Sequence, residues 1–377
     1  MENRKFGNTG LTPSILGFGM MRLKKREDGS IDEQWAIETL RKAIDNGLTY
    51  VDTAYVYPDS ERVTGLCLAD GYRDKVTLAT KLPVSMMKCE EDFDRILNEE
   101  LERLQTDHID LYLMHALSAD RWPSVEKFKV IEKMEKAKAE GKIRHIGFSF
   151  HDNLETFKQI LNAYDGWEFC QIQLNYLDVN YQAGLEGMRL AHEKGLGVVI
   201  MEPLRGGALA NVPEDVAAML PKSPVESALD FLWHHKEINV VLSGMSATEQ
   251  VEQNMEYASR ATAGMLSDEE YAQTIAAGDR MRSYLSINCT GCGYCSVCPL
   301  ASRSWVHNEG APSTDKKSVF RPFPPQDSPS SMCFPLFFRE DPEIKSRKTD
   351  DIFPLFHRIQ RDNPFYQKKF YHLKESE

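Results

Sequence analysis

The stretch Asp110–His115 (DLYLMH) is too short for a helix, and its apolar side chains alternate onto both faces of an extended strand. The amphipathic segment Ser124–Glu140 follows it and predicts a helix that Ser124 caps and that ends near Gly141. A strand that is apolar on both faces and is followed by a helix is typical of a buried parallel sheet. The stretch therefore predicts one β/α unit of such a sheet.

The same unit recurs along residues 15–260. Seven further short runs rich in Val, Ile, Leu or aromatic residues predict strands: Ile15–Gly19, Thr49–Ala54, Val76–Lys81, Ile143–Ser149, Phe169–Asn175, Gly197–Pro203 and Asn239–Gly244. Eight strands that alternate with helices predict a closed (β/α)8 barrel, the TIM-barrel architecture. An open doubly wound sheet is the alternative, but eight regular units without a switch in order favour closure.

The segments between the strands have the amphipathic pattern of helices. Besides Ser124–Glu140, the predicted helices are Asp32–Asn46, Cys89–Leu104, Asn153–Ala163, Gln182–Lys194 and Ser223–His234. Ahead of the first strand, Arg4–Thr12 has turn residues at its centre and predicts a hairpin that caps the N-terminal mouth of the barrel.

Charge and composition exclude several classes of protein. The 377 residues have a formal net charge of −12, which argues against nucleic acid as the main partner. We find neither an apolar run long enough to span a membrane nor an N-terminal secretory pattern, and we therefore expect a cytoplasmic protein. Residues 301–377 differ from the rest, because they contain 9 of the 18 prolines and 1 of the 23 glycines.

Four residues with proton-transfer chemistry come from three consecutive predicted strands: Asp52, Lys81 and His115 at the strand ends, and Tyr57 just beyond the first of these strands. Active sites of β/α barrels lie at the C-terminal ends of the strands, where these residues would meet. A tyrosine with an ordinary pKa near 10 exchanges protons poorly at neutral pH, and a neighbouring ammonium favours its phenolate. The aspartate would hold the lysine, and the histidine could donate a hydrogen bond to a carbonyl oxygen. Such a set suits protonation of an alkoxide formed by hydride transfer.

The motifs around these residues resemble those of the aldo-keto reductase family. They are Tyr50–Tyr57, Ser60 with Glu61, Gly65, Ala79–Lys81, Asp110–His115 and Gly141–Ser149. The resemblance covers about residues 3–260, and its motifs agree in order and spacing. It implies that Tyr57 is the general acid, that Lys81 and Asp52 tune it, and that His115 orients the carbonyl of a small-molecule substrate.

The resemblance also implies a nicotinamide cofactor, NADP or NAD, across the mouth of the barrel. The residues implied are Gly19 and Met20 at the nicotinamide end, Asp52 beside it, Ser149 and Gln173 at the carboxamide, Met201 where many members stack a tyrosine on the nicotinamide, Pro203 and Leu204 in the loop at the pyrophosphate, and Gly244, Gln250 and Asn254 near the adenosine. Many family members place Lys and Arg in the last region to bind the 2′-phosphate. Gly244 and Gln250 are there instead, which leaves the choice between NADP and NAD open.

A run of four cysteines lies beyond the barrel: Cys289, Cys292, Cys295 and Cys298, followed by Pro299. This C-x2-C-x2-C-x2-C-P spacing is close to that of ferredoxins and predicts a 4Fe-4S cluster, with zinc as the structural alternative. The run is similar to that of an aldo-keto reductase subgroup with a ferredoxin-like C-terminal part. That subgroup has a second cysteine cluster, whereas only Cys333 follows here, so the cluster could be incomplete.

We therefore predict three parts: the barrel over residues 1–265, a helical linker with the cysteine motif over 266–300, and a disordered tail over 301–377. The predicted function is reduction of an aldehyde or ketone by NAD(P)H, with an electron relay through the cluster to a possible electron-transfer partner. The alternative is a non-catalytic nucleotide-binding redox sensor or regulatory subunit. The intact set of four site residues favours the enzyme.

Overall fold

The structure is a computed structural model that describes residues 1–284. Its eight strands are all parallel and close into a barrel in chain order, which confirms the prediction of a closed (β/α)8 architecture. The strands are β1 Leu16–Gly19, β2 Tyr50–Asp52, β3 Thr77–Leu82, β4 Ile109–Leu117, β5 Ile143–Phe150, β6 Phe169–Gln173, β7 Gly197–Met201 and β8 Val240–Ser243. Each of the eight predicted apolar runs overlaps one of them, and β3, β4 and β5 extend beyond the predicted runs. Closure is made by β1 and β8, where Leu16 pairs with Val241.

Helices connect the strands and cover the outside of the barrel. They are α1 Glu33–Asp45, α2 Ser60–Leu68, α3 Glu91–Leu104, α4 Trp122–Lys127, α5 Val130–Ala139, α6 Leu154–Ala163, α7 Gly184–Glu193, α8 Glu214–Ala217, α9 Pro224–His234, α10 Thr248–Arg260 and α11 Asp268–Arg282. Asn153 and Ser223, the first residues of two predicted helices, accept hydrogen bonds from the first turns of α6 and α9, as expected for N-cap side chains.

The prediction of one helix over Ser124–Glu140 is wrong. Two helices, α4 and α5, occupy this segment, and Lys129 between them has a left-handed backbone with φ of 51°. Ser124 lies inside α4 rather than at its cap, because Pro123 occupies the first turn, where its missing N–H costs nothing. α2 was also absent from the predicted helices.

The apolar side chains form two layers. Inside the barrel, alternate strand residues pack together, among them Tyr50, Leu111, Phe169 and Val240. The other face of each strand packs against the helices in a larger cluster. Both faces of the sheet are therefore buried, as the continuous apolar runs of the sequence predict.

The N-terminal segment forms the predicted hairpin below the barrel. The N–H of Arg4 donates to the carbonyl of Pro13 at 3.1 Å, and that of Phe6 donates to the carbonyl of Leu11 at 2.9 Å. The Phe6 ring is fully buried, with its centroid 5.8 Å from that of Phe169. A Cβ at Gly197 would lie 2.7 Å from this ring, so glycine makes room for it. We call this buried ring, which closes the N-terminal end of the barrel, the Phe6 plug.

The cysteine run lies beyond the residues that the structure describes. Cys289, Cys292, Cys295 and Cys298 and the 301–377 tail all lie outside residues 1–284. Within the described part of the chain, none of the helices has the length and apolar character needed to cross a membrane.

Candidate active site

The structure brings the four predicted catalytic residues together at the C-terminal mouth of the barrel. Asp52 ends β2, Lys81 lies near the end of β3, and His115 lies in β4. The Tyr57 ring, in the loop before α2, meets the His115 ring edge-on, with centroids 5.9 Å apart. The Nζ of Lys81 lies 5.3 Å from the centroid of the Tyr57 ring. Consecutive parallel strands therefore place all four groups around one small volume.

Lys81 is held by three acceptors. Its Nζ donates to both carboxylate oxygens of Asp52 and to the carbonyl of Thr53, each at 2.7 Å. Burial raises the pKa of Asp52 and lowers the pKa of Lys81, and the opposite charge of the partner opposes each shift. All three ammonium protons are used, so the ammonium is fixed in position beside Tyr57.

His115 is the neutral member of the set. Burial, and then the positive charge of Lys81, hold its pKa well below the ordinary value of 6.5. The imidazole is therefore uncharged at neutral pH and can donate one hydrogen bond from one ring nitrogen. A neutral donor of this kind suits a carbonyl oxygen.

The predicted carboxamide residues are buried on the next two strands, Ser149 in β5 and Gln173 in β6. The Oγ of Ser149 accepts the N–H of Ala116 at 2.7 Å, which leaves its own proton to donate. The Nε2 of Gln173 donates to Asp178 at 3.1 Å, while its buried Oε1 has no hydrogen-bond partner among residues 1–284. One donor and one acceptor without a partner are what a primary carboxamide requires, so these residues fit a nicotinamide.

The loop after β7 presents a buried guanidinium. Arg205 is 3% exposed, and its Nε lies 3.0 Å from a carboxylate oxygen of Asp178. Its Nη2 is buried and finds no acceptor in the described part of the chain. A buried N–H of this kind fits an oxygen of the pyrophosphate that the family resemblance implies here.

The other predicted residues of this loop surround Arg205. Pro203 is buried, Leu204 and Met201 are half-buried, and the sulfur of Met201 accepts a hydrogen bond from Gln171 at 3.7 Å. Glu202 is half-buried with a positive φ of 56°, and burial raises its pKa to about 7. The loop therefore holds a carboxyl group and a guanidinium close to the expected pyrophosphate.

The predicted cofactor residues at β1 line the mouth. Met20 is buried, and its carbonyl accepts a hydrogen bond from Ser60 at 2.9 Å. A Cβ on Gly19 would lie 3.3 Å from the carbonyl oxygen of Ser243, so this strand end is closely packed.

The three predicted residues after β8 differ in their accessibility. Gly244 and Gln250 are exposed, and the side-chain carbonyl of Gln250 accepts the N–H of Ser246 at 2.9 Å. Asn254 is buried and donates to the hydroxyl of Ser243 at 3.0 Å, which fastens α10 to the end of β8. Gly244 and Gln250 are thus accessible to a ligand, whereas the Asn254 amide is engaged within the protein.

Three further residues of the site were not predicted to have a role. Arg121 and His151 follow β4 and β5, at the same end of the barrel as His115. Glu61 is 2% exposed in α2 and accepts a hydrogen bond at 2.6 Å from Thr80, the residue before Lys81. The sequence offered two signals for them: Arg121 and His151 come shortly after predicted strands, and Glu61 lies within one of the family motifs.

Metal binding is not seen in the described residues. No group of three or more His, Cys, Asp or Glu side chains there could hold a metal ion. Cys67 and Cys170 are buried free thiols and Cys89 is an exposed one. The four predicted cluster ligands lie beyond residue 284, so the iron–sulfur site stays a prediction.

Comparison with known proteins gives consistent results. The model of the Aldo/keto reductase family matches residues 15–277. L-galactose dehydrogenase of Arabidopsis thaliana is 30% identical over 285 residues, covering 68% of this chain and 87% of the relative. Aldo-keto reductase YhdN of Bacillus subtilis is 35% identical over 174 residues, covering 42% of this chain, so the chain spans about half (51%) of that relative.

Solved structures share the architecture. The holo form of an aldo-keto reductase from Bacillus halodurans superposes with a TM-score of 0.63 at 28% identity, covering 74% of this chain and 96% of its own. An aldo-keto reductase from Klebsiella pneumoniae in complex with NADPH superposes with a TM-score of 0.60 at 26% identity, covering 72% and 93%.

Proposed function

The chain belongs to the aldo/keto reductase family, a family of NAD(P)H-dependent oxidoreductases, and we propose that it reduces the carbonyl of a small aldehyde or ketone with Tyr57 as general acid. The observation that carries this proposal is the meeting of Tyr57 with His115 and with the buried Lys81–Asp52 pair. A redox sensor would bind nucleotide without needing an acid held beside an ammonium. The intact set therefore favours an enzyme.

The proposed reaction adds a hydride to the carbonyl carbon and a proton to its oxygen. A reduced nicotinamide supplies the hydride when bound. His115, as a neutral donor, orients the carbonyl oxygen toward the Tyr57 hydroxyl, which donates its proton as negative charge grows on that oxygen. The nearby Lys81 ammonium stabilises the phenolate that remains, and Asp52 keeps the ammonium charged and in place.

Ser149 and Gln173 are the residues we propose for the carboxamide, because they offer the donor and the acceptor just described. Gly19 and Met20 would lie beside the nicotinamide, and Arg205 with the loop over residues 201–207 would bind the pyrophosphate. The Klebsiella pneumoniae relative binds NADPH, which supports NADP here, while exposed Gly244 and Gln250 leave NAD as the other candidate.

Tyr57→Phe tests the proposal. We expect steady-state oxidation of NAD(P)H with a panel of aldehydes to fall by about 100-fold or more, since general acids contribute roughly that much. Tyr55→Phe is the matched control, because Tyr55 bonds to Glu99 at 2.6 Å and its loss removes a hydroxyl outside the proposed set. Cofactor binding, followed by fluorescence, should be unchanged in both variants. Equal aldehyde-dependent rates in Tyr57→Phe and the wild type would contradict the role of Tyr57.

The cysteine run supports a second, separate proposal. Its spacing favours a 4Fe-4S cluster at Cys289, Cys292, Cys295 and Cys298 that relays electrons to a protein partner. Anaerobic purification with iron and sulfide analysis tests it, and the expected result is a coloured protein containing both elements. Colourless protein containing zinc would assign the run a structural role instead.

A further inference from the structure

Arg121 lies at the rim of the mouth, between the end of β4 and the start of α4. Its Nη1 donates to the carbonyl of Ala116, the residue directly after His115. The N–H of Ala116 donates in turn to the hydroxyl oxygen of Ser149. The guanidinium is therefore anchored to the backbone of the residue that follows the proposed carbonyl-orienting His115 and that also bonds the proposed carboxamide residue Ser149.

The positive charge of Arg121 is not balanced nearby. Lys81 is neutralised by Asp52, and His115 is uncharged at neutral pH for the reasons given above. His151, after β5, is also uncharged, because burial and then the charge of Arg121 lower its pKa to about 4. Arg121 consequently contributes a net positive charge to this side of the site.

The carboxylates of the surrounding loops do not pair with Arg121. Asp120 is exposed, and Asp152 accepts the N–H of Ala119 at 2.8 Å and that of Asn153 at 2.7 Å. Over residues 1–284, Arg121 forms no ion pair, and Nη1 is the only nitrogen of its guanidinium that donates a hydrogen bond. Nε and Nη2 are left for a ligand.

We propose that Arg121 binds the carboxylate of an acidic carbonyl substrate. Nε and Nη2 form a planar fork that matches the two oxygens of a carboxylate, and a partly buried position strengthens such a pair. Because Arg121 is anchored one residue from His115, the carboxylate would lie within a few bonds of the carbonyl. α-Keto acids and formyl-substituted carboxylic acids have this form. The inference depends on the proposed carbonyl reduction and adds the substrate class.

A purely structural role for Arg121 predicts different behaviour. Ala116 has a positive φ of 54°, an uncommon conformation for alanine, and Arg121 could simply hold its carbonyl. Loss of that support would lower kcat/KM for acidic and neutral substrates alike. Loss of a carboxylate-binding group impairs only the acidic ones, so a pair of substrates that differ in charge separates the two roles.

The experiment compares para-carboxybenzaldehyde with its methyl ester, which has a similar shape and no charge. We expect the wild type to prefer the acid, and Arg121→Gln to lower kcat/KM for the acid by about 10- to 100-fold while changing that for the ester little. Arg121→Lys should recover part of the acid rate, because it restores the charge. Arg95→Gln is the matched control, since Arg95 pairs with Asp92 and Glu99 on the outer surface of α3.

The possible failures are distinguishable. If the wild type reduces neither compound nor any other aldehyde of the panel, the proposed function is wrong. If it reduces the ester while Arg121→Gln changes both substrates equally, or neither, the carboxylate site is wrong and the proposed function stands. A phosphorylated aldehyde preferred over the carboxylate through Arg121 would assign the site to phosphate and also overturn the proposal.

Discussion

Lys81 and Asp52 form a two-point contact at the bottom of the candidate site, with Nζ 2.7 Å from each carboxylate oxygen. The side chains are 1% and 5% exposed, so water does not share the contact. A buried pair with both partners present is tolerated, whereas a buried charge left without its partner is strongly destabilising. The pair therefore links the stability of the barrel to the chemistry proposed at Tyr57.

Asp52→Asn should lower both the stability of the barrel and the rate of the proposed reaction. The variant keeps the shape of the side chain but removes the charge that balances the Lys81 ammonium. We expect a loss of about 3–5 kcal/mol in the free energy of unfolding, measured by urea denaturation. We also expect a fall in kcat of about 100-fold, because the support for the proton donor is lost.

Asp45→Asn is the control for this substitution, because Asp45 pairs with Lys75 at 3.0 Å on the surface. An exposed surface pair contributes little to stability, so this variant should stay close to wild type in both assays. If Asp52→Asn behaved like Asp45→Asn, the buried pair would have no special role.

His235 makes the stability depend on pH. Its buried Nε2 has no hydrogen-bond partner among the described residues, and burial lowers its pKa from 6.5 to about 4. As the pH falls through 6.5, the unfolded chain binds a proton at this histidine and the folded chain does not, so stability is lost between pH 6.5 and 4. One such group contributes up to about 1.4 kcal/mol per pH unit.

Urea denaturation of His235→Gln at several pH values between 7 and 4 would measure this contribution. The variant should lose less stability on acidification than the wild type. His192→Gln, at an exposed position of α7, should follow the wild-type slope. Parallel slopes for wild type and His235→Gln would show that His235 titrates alike in the folded and unfolded states.

Local pattern was sufficient to predict the barrel and the meeting of the four proposed site residues at its mouth. Strands that are apolar on both faces form buried parallel sheets, and side chains that follow those strands meet at one mouth. Asp52, Lys81 and His115 could therefore be placed together before any distance was known. Tyr57 was predicted from its short separation from Asp52 along the chain.

Features that depend on tertiary contacts could not be predicted in this way. The break between α4 and α5 occurs at Lys129, whose left-handed backbone has no glycine or asparagine to signal it. Asn254 points inward to Ser243, although the sequence alone was equally compatible with a ligand contact. Arg121 is half-buried and forms no ion pair among residues 1–284. Spacing along the chain does not reveal this, because it does not show which carboxylates lie near Arg121 in space.

The Phe6 plug should be important for stability and not for catalysis. Its fully buried ring closes the end of the barrel opposite the candidate site and packs against Tyr50 and Phe169. Phe6→Ala should lower the free energy of unfolding by about 3–5 kcal/mol. Phe6→Leu, which leaves a smaller cavity, should cost less. Below the unfolding transition, kcat/KM should stay at the wild-type value in both variants, and a selective loss of activity would show that the two ends of the barrel are coupled.

Gly244 offers a direct test of the choice between NADP and NAD. The residue is exposed, its φ lies outside the left-handed region, and an added Cβ would meet side-chain atoms of Arg22 at an ordinary distance of 3.4 Å or more. A larger side chain is therefore compatible with the fold.

If the adenosine lies here, Gly244→Lys places an ammonium near the 2′-phosphate. The variant should raise the preference for NADPH over NADH by about tenfold, because a charge-assisted hydrogen bond forms with NADPH alone. The ratio of kcat/KM for the two cofactors measures it. Gly244→Ala, which adds no charge, should keep the wild-type ratio, and an unchanged ratio in Gly244→Lys as well would place the 2′-phosphate away from the end of β8.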